Sequence, residues 1–167
     1  MASHAEMLNP GTSLACETLL ADLQSAGLML VTAESCTGGL IAAALTAIPG
    51  SSASIAGGFV TYSNAMKTTQ LGVPEGVLAA VGAVSEAVAR LMAEGALAHS
   101  GADIAVSCTG IAGPGGATPG KPVGLVHLAS ARAGRTTLHM ATVFPGDRAA
   151  VRAATVDAAL ALVRRLI

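Results

Sequence analysis

The chain has 167 residues, of which 52% are hydrophobic and 11% charged, and its formal net charge is −1. It is therefore long and apolar enough for one domain with a large core. No apolar stretch reaches the about 18 residues of a membrane span, and the first residues lack the pattern of a secretory signal, so the cytoplasm is predicted. The few, scattered basic residues and three aromatic residues argue against nucleic acid as a partner.

The first half of the chain alternates helices with short apolar strands. Residues 1–11 are predicted to be a disordered lead, and a single domain is predicted over residues 12–167. Thr12 or Ser13 can cap a helix that ends at Gly27, because leucines recur there at helical spacing. The next predicted elements are a strand over 28–32, a helix over 40–48, a strand over 55–62 and a helix from about 63 to 72.

The second half continues the alternation and then forms a hairpin. Ser85 is a good cap for a helix that ends at Gly101, with Glu86 favourable in its first turn. The remaining predicted elements are a strand over 103–107, antiparallel strands over 123–131 and 136–144, and a helix from about 145 to 166. This order predicts an α/β fold, a three-layer sandwich in which helices cover both faces of a mixed, mostly parallel sheet.

Polar and glycine residues are concentrated directly after three of these strands, over 33–39, 62–67 and 109–116. In open α/β sheets, ligands bind beyond the carboxyl ends of the strands, where helix N-termini present free N–H groups. Each cluster by itself is also compatible with a simple turn. Together they predict a site for an anionic small molecule.

Ser35 is the candidate nucleophile, because it lies at a strand-to-helix turn followed by Thr37, Gly38 and Gly39. Glycine amides near such a serine can hold an oxyanion. The neighbouring Cys36 is a rival nucleophile, although nothing basic lies near it in sequence. The segment is not a GxSxG motif, so a general hydrolase signature is absent.

A serine nucleophile needs a base, and the sequence favours Lys67. Lys67 falls in the first turn of a predicted helix, where the helix dipole disfavours a cation by about 0.3–1 kcal/mol, and burial would lower its pKa further. Tyr62, the one tyrosine of the chain, could orient or relay the proton. A solvated surface lysine is the alternative, and the residue pattern alone leaves it open.

Histidines and cysteines give no indication of a metal centre. None of the four histidines lies in a polar cluster, which leaves little support for a Ser-His-Asp site. The three cysteines form no CxxC pair or Cys/His cluster. We therefore expect neither a metal nor a cofactor.

Six segments of the chain resemble the successive motifs of the CinA C-terminal domain family. They are AESCTGG (33–39), GGFVTYSNAMK (57–67), GAVSEAVA (82–89), TGIAGPGG (109–116), KPVG (121–124) and FPGDR (144–148). The resemblance covers roughly residues 12–166. The chain as a whole is similar to the stand-alone form of the family. It implies a nicotinamide-mononucleotide amidohydrolase, an NMN deamidase, that releases ammonia without a metal.

The resemblance also implies roles for individual residues. Ser35 would be the nucleophile, Lys67 the base and Tyr62 a supporting residue. The pocket would be lined by Thr37, Gly38, Gly39, Asn64, Thr109 and Gly110, with Arg148, and less clearly Lys121, near the phosphate. A non-catalytic nucleotide-binding or regulatory module, related to competence/damage-inducible proteins, is the alternative function, and a homodimer is the expected assembly.

Overall fold

The computed structural model describes residues 9–167, which form one five-stranded sheet flanked by helices. The strands are β1 (Leu30–Glu34), β2 (Ile55–Val60), β3 (Ile104–Gly110), β4 (Leu125–Arg132) and β5 (Leu138–Val143). The helices are α1 (Pro10–Ala26), α2 (Leu40–Thr46), α3 (Asn64–Leu71), α4 (Glu75–Val81), α5 (Glu86–Ser100) and α6 (Arg148–Arg164). The predicted α/β class is confirmed.

The strand order β2-β1-β3-β4-β5 makes the sheet mixed. Strand β1 is parallel to both β2 and β3, whereas β4 is antiparallel to β3 and β5 is antiparallel to β4. Only β4 therefore runs against the other strands, as the prediction of a mostly parallel sheet requires. After β1 the chain passes to β2 on one side and later to β3 on the other. This reversal at β1 is where ligands bind in doubly wound sheets.

Each face of the sheet has its own hydrophobic core because side chains alternate along the strands. Leu30, Ile104 and Leu128 pack with helices α1, α2 and α6. Val31 and Ala105 point the other way and pack with α3, α4 and α5. The three-layer arrangement follows from this alternation.

The first helix begins earlier than its sequence pattern predicts. Asn9 is the N-cap, and its side chain accepts a hydrogen bond of 2.9 Å from the Thr12 amide, while Pro10 occupies the first helical position. Thr12 lies inside the helix, where its hydroxyl donates to Asp157 on α6 at 2.6 Å. The predicted cap at Thr12 or Ser13 is therefore wrong. Of the predicted disordered lead over 1–11, residues 1–8 lie outside the described residues, whereas Asn9 caps α1 and Pro10 and Gly11 belong to it.

Helix α4 was not predicted from the sequence. Its seven residues follow Pro74 and bury only Leu78, so they carry too short a pattern to be recognised alone. Packing against α3 and α5 stabilises the segment. The predicted start of α3 is confirmed, because Ser63 caps it by accepting from the Met66 amide at 3.2 Å.

Candidate active site

Ser35 and Lys67 meet at the carboxyl edge of the sheet. Ser35 directly follows β1, and Lys67 lies in the first turn of α3, which follows β2. The Lys67 Nζ atom is 3.0 Å from the Ser35 Oγ atom. A nucleophile and its base need this separation for direct proton transfer.

The surroundings of Lys67 favour a neutral amine. Only 1% of the residue is exposed, and within residues 9–167 it forms no ion pair. Burial lowers the pKa of Lys67 below its ordinary value of 10.5. The Nζ atom also donates to the carbonyl oxygens of Thr61 at 2.8 Å and Tyr62 at 3.3 Å.

These two carbonyl contacts orient the amine. A carbonyl oxygen can only accept hydrogen bonds, and a neutral amine has two hydrogens and one lone pair. When the two hydrogens are directed at Thr61 and Tyr62, the lone pair is directed at the Ser35 hydroxyl. The site can therefore accept the serine proton without rearranging Lys67.

A buried carboxylate holds the turn that carries Ser35. Glu34 is fully buried, and its Oε1 atom accepts from the Thr37 hydroxyl at 2.7 Å and the Ile41 amide at 2.8 Å. Its Oε2 atom accepts from the Thr32 hydroxyl at 3.0 Å and the Ala42 amide at 2.9 Å. The carboxylate thus fastens the first turn of α2 to the end of β1, where it also complements the positive end of the helix dipole.

This role of Glu34 changes the interpretation of Thr37, Gly38 and Gly39. The Glu34 carboxylate accepts from the α2 amides of Ile41 and Ala42, so these two amides are not available to an oxyanion. Thr37 is fully buried against Glu34, and the Gly38 amide donates to the Ser35 carbonyl at 3.0 Å. Gly38 and Gly39 have φ values of 61° and 102°, so glycine is needed to turn the chain into α2. None of the three lines the cavity at Ser35, which revises their predicted role in the pocket.

A cavity of about 230 Å³ opens above Ser35 and Lys67. The predicted residues Tyr62, Asn64, Thr109, Gly110 and Arg148 all contribute to its wall, together with Cys36, Ala83, Val84 and Ala112. Thr109 is fixed by a hydrogen bond of 2.9 Å from its hydroxyl to the Ala83 carbonyl. Polar groups from all three sequence clusters therefore converge on one small cavity, as their positions after the strands predict.

The Tyr62 hydroxyl does not contact Lys67 or Ser35. It accepts a hydrogen bond of 3.0 Å from Arg148 Nη2, while Arg148 Nη1 donates to the Gly113 carbonyl at 3.0 Å. The backbone carbonyl of Tyr62, rather than its ring, contacts Lys67. Lys121 donates to the Val81 carbonyl at 2.6 Å and is absent from the cavity wall. Of the two proposed phosphate ligands, only Arg148 therefore lies at the site.

The other candidate nucleophile and bases are poorly placed. Cys36 borders the cavity, but a hydrogen bond with Cys108 and burial raise the pKa of its thiol far above the ordinary value. His127 and His139 contact each other at 3.0 Å and are not part of the cavity wall. Within the described part of the chain, no cluster of His, Cys, Asp or Glu could hold a metal ion.

Two contributors to the site were missed by sequence reasoning. Glu34 carries a weak signal, an acidic residue between a buried strand and a helix N-terminus. Arg152 follows Arg148 by one helical turn, and its Nη2 atom donates to the Thr37 carbonyl at 2.9 Å. No local pattern indicates that α6 contacts the Ser35 turn, because the two segments are more than 100 residues apart.

The fold and the cavity define a class: a three-layer α/β domain with a buried serine–lysine pair at the carboxyl edge of its sheet. Residues 13–167 match the family model described as the CinA C-terminal domain. The chain belongs to the CinA C-terminal domain family. Over residues 9–167, no helix is both long and apolar enough to cross a membrane.

Relatives and solved structures agree with this assignment. A CinA-like protein of Mycolicibacterium vanbaalenii is 54% identical over 85% of the chain, which corresponds to 34% of that protein. The chain thus spans about a third of such longer relatives. The nicotinamide-nucleotide amidohydrolase PncC of Pseudomonas putida is 52% identical, over 92% of the chain and 94% of that protein. The crystal structure of the competence/damage inducible protein CihA from Agrobacterium tumefaciens superposes with a TM-score of 0.93 at 47% identity, covering 95% of the chain and 97% of that structure.

Proposed function

We propose that the protein is an amidohydrolase that converts nicotinamide mononucleotide and water into nicotinic acid mononucleotide and ammonia. The contact between Lys67 Nζ and Ser35 Oγ at 3.0 Å is the observation that carries the proposal. The similarity to the amidohydrolase of Pseudomonas putida, which extends over nearly the whole length of both chains, supports the choice of substrate. The reaction would belong to pyridine nucleotide salvage in the cytoplasm.

The mechanism consists of two acyl transfers. In the first, neutral Lys67 accepts the Ser35 proton while Oγ attacks the carboxamide carbon, and the proton then passes to the departing ammonia. In the second, water attacks the acyl-enzyme ester with Lys67 again as base, which releases the acid and regenerates the serine. No metal or cofactor is required for either half.

The oxyanion of each tetrahedral intermediate needs donors on the cavity side of Ser35. The amide of the residue after the nucleophile supplies one such donor in α/β hydrolases. Cys36 occupies this position and borders the cavity. We therefore assign the oxyanion contact to the Cys36 amide rather than to Gly38 or Gly39. Oxyanion donors of this kind contribute about 2.7–4 kcal/mol each.

The proposal is tested by measuring ammonia release from nicotinamide mononucleotide by the purified protein. Wild type and Cys36→Ala should both release ammonia, whereas Ser35→Ala should bind the nucleotide without turnover. Activity in Ser35→Ala, or its loss in Cys36→Ala alone, would assign the nucleophile to the cysteine. Nucleotide binding by wild type without ammonia would instead favour a non-catalytic binding module.

A further inference from the structure

A second, larger cavity adjoins the cavity at Ser35. Its volume is about 510 Å³, and its wall includes Ala112, Pro114, Val123, Asp147, Arg148 and Arg152. The two cavities share Ala112 and Arg148. They therefore form one continuous depression from Ser35 to the first two turns of α6. We call the larger one the arginine cavity.

Arg152 has hydrogen-bonding capacity that the described residues do not use. Its Nη2 atom donates to the Thr37 carbonyl, but its Nε atom is buried and, over residues 9–167, has no hydrogen-bond partner. A guanidinium group carries five N–H donors and is always charged. The enclosed Nε atom cannot itself reach a ligand, but Arg152 borders the arginine cavity, and its remaining Nη donors can bind an acceptor that a ligand supplies.

The charges at the arginine cavity favour an anion. Its wall carries two positively charged side chains, Arg148 and Arg152, and one carboxylate, that of Asp147. The Asp147 Oδ1 atom is already engaged as the N-cap of α6, where it accepts from the Ala150 amide at 2.9 Å. A phosphomonoester has a charge of about −1.5 to −2 and three strong acceptor oxygens. Arginine is the side chain best suited to bind it, since its planar fork matches two phosphate oxygens.

We propose that the arginine cavity binds the 5′-phosphate of the substrate and that Arg152 determines specificity for nucleotides over nucleosides. The inference rests on the proposed function, because it places the carboxamide at Ser35 and the phosphate at the far end of the same depression. Arg148 already contacts Tyr62 and Gly113, so Arg152 has more donors available for phosphate. The link from Arg152 to Thr37 also connects the occupied phosphate subsite to the turn that carries Ser35.

The test compares ammonia release from nicotinamide mononucleotide and from nicotinamide riboside, which lacks the phosphate. Arg152→Gln removes the charge and, because its side chain is shorter than that of arginine, also the donor to the Thr37 carbonyl. We expect this variant to lose about tenfold to a hundredfold in kcat/KM for the nucleotide and to change little for the riboside. Arg165→Gln, an exposed position at the end of the same helix, is the matched control and should leave both values unchanged.

A binding measurement separates this inference from the proposed function. Titration calorimetry with ribose 5-phosphate, and with ribose as control, requires no turnover. Wild type should bind the phosphate sugar, and Arg152→Gln should bind it at least tenfold more weakly. Such binding without ammonia release from any substrate would refute the proposed function and leave the phosphate subsite standing.

Two outcomes would overturn the phosphate subsite itself. One is an equal loss of kcat/KM for nucleotide and riboside, which would mean that Arg152 only supports the Ser35 turn. The other is ribose 5-phosphate binding that does not depend on Arg152. Arg152→Lys, which keeps the charge, covers the case in which the glutamine variant does not fold, and it should fall between wild type and Arg152→Gln.

Discussion

Lys67 combines a buried position with a titratable amine, and as the proposed base its ionisation should govern the pH dependence of activity. Because burial lowers the pKa of Lys67 below 10.5, the neutral base becomes more populated as pH rises through that lowered pKa. We therefore predict that the acylation rate increases with pH through a single ionisation. Single-turnover measurements with nicotinamide mononucleotide across neutral and alkaline pH would show it.

The control for this prediction is Lys67→Met, which keeps the length of the side chain but has no titratable group. This variant should bind the nucleotide and lose nearly all turnover, because the Ser35 proton has no acceptor. Its residual rate should lack the ionisation. A normal rate, or the same inflection in the variant, would assign the base to another group.

Glu34 illustrates how one buried charge can organise a turn. It accepts four hydrogen bonds, two of them from α2 amides. In Glu34→Gln an NH₂ group must face at least one of these donors, so we predict a loss of about 1–3 kcal/mol in the free energy of unfolding. We also predict that kcat decreases more than KM increases, since the turn holds Ser35. Urea denaturation and steady-state kinetics measure the two effects.

Glu75→Gln is the matched control for Glu34→Gln. Glu75 is also an acidic residue at a helix N-terminus, but it is exposed in the first turn of α4. Its substitution should change stability much less and leave kcat unaffected. Equal effects of the two substitutions would show that the hydrogen bonds of Glu34 do not hold the turn.

At the scale of elements, the position of α3 is set by its close contact with α5. A Cβ atom added at Gly95 of α5 would lie 2.0 Å from the carbonyl oxygen of Leu71, the last residue of α3. Helix propensity favours alanine over glycine by about 1 kcal/mol, but this backbone clash should dominate. We predict that Gly95→Ala destabilises the protein by about 1–3 kcal/mol and lowers kcat, because α3 carries Lys67.

Gly76 of α4 provides the comparison, since a Cβ atom there would have no heavy atom within 4 Å. Gly76→Ala should therefore stabilise the protein by about 0.4–1 kcal/mol without changing kcat. Thermal or urea unfolding of the two variants measures the difference. If Gly95→Ala were as stable as Gly76→Ala, the contact between α3 and α5 would not fix the position of Lys67.

At the scale of the whole molecule, the reversal of strand order at β1 explains where the site lies. Ser35, Lys67 and the end of β3 come from three separate segments, and parallel strands bring their carboxyl ends to the same edge. The antiparallel hairpin of β4 and β5 widens the sheet beyond β3, and the chain after β5 returns to this edge with Arg148. The two cores, one on each face, hold the strands in register, so the distance between Ser35 and Lys67 depends on the packing of the entire domain.

The assembly state remains a prediction from the sequence. In the described part of the chain, β2 and β5 are the two edge strands of the sheet. Small apolar domains of this kind commonly form homodimers. We predict a dimer, which sedimentation equilibrium at several protein concentrations would detect. A single monomeric species throughout that range would contradict it.

The sequence by itself determined the succession of the strands and of every helix except α4 along the chain, the α/β class and the position of Ser35 and Lys67 after strand ends. These features depend on local periodicity and on capping residues such as Ser63 and Ser85, which act within one or two helical turns. The resemblance to the family motifs added the proposed substrate and the proposed roles of these residues. The start of α1 and the short helix α4 were missed, because a proline at the N-terminus and a single buried leucine give weak local signals.

Only the tertiary structure decided which groups face the cavity. Thr37, Gly38 and Gly39 follow Ser35 in sequence, yet they are absent from the wall of the cavity at Ser35, and the Glu34 carboxylate accepts from the α2 amides behind them. Arg152 reaches the same turn from a helix more than 100 residues later. Hydrogen-bond direction and long-range contact are not encoded in residue spacing. They are fixed when the helices pack on the sheet and bring α6 against α2 and the turn after β1.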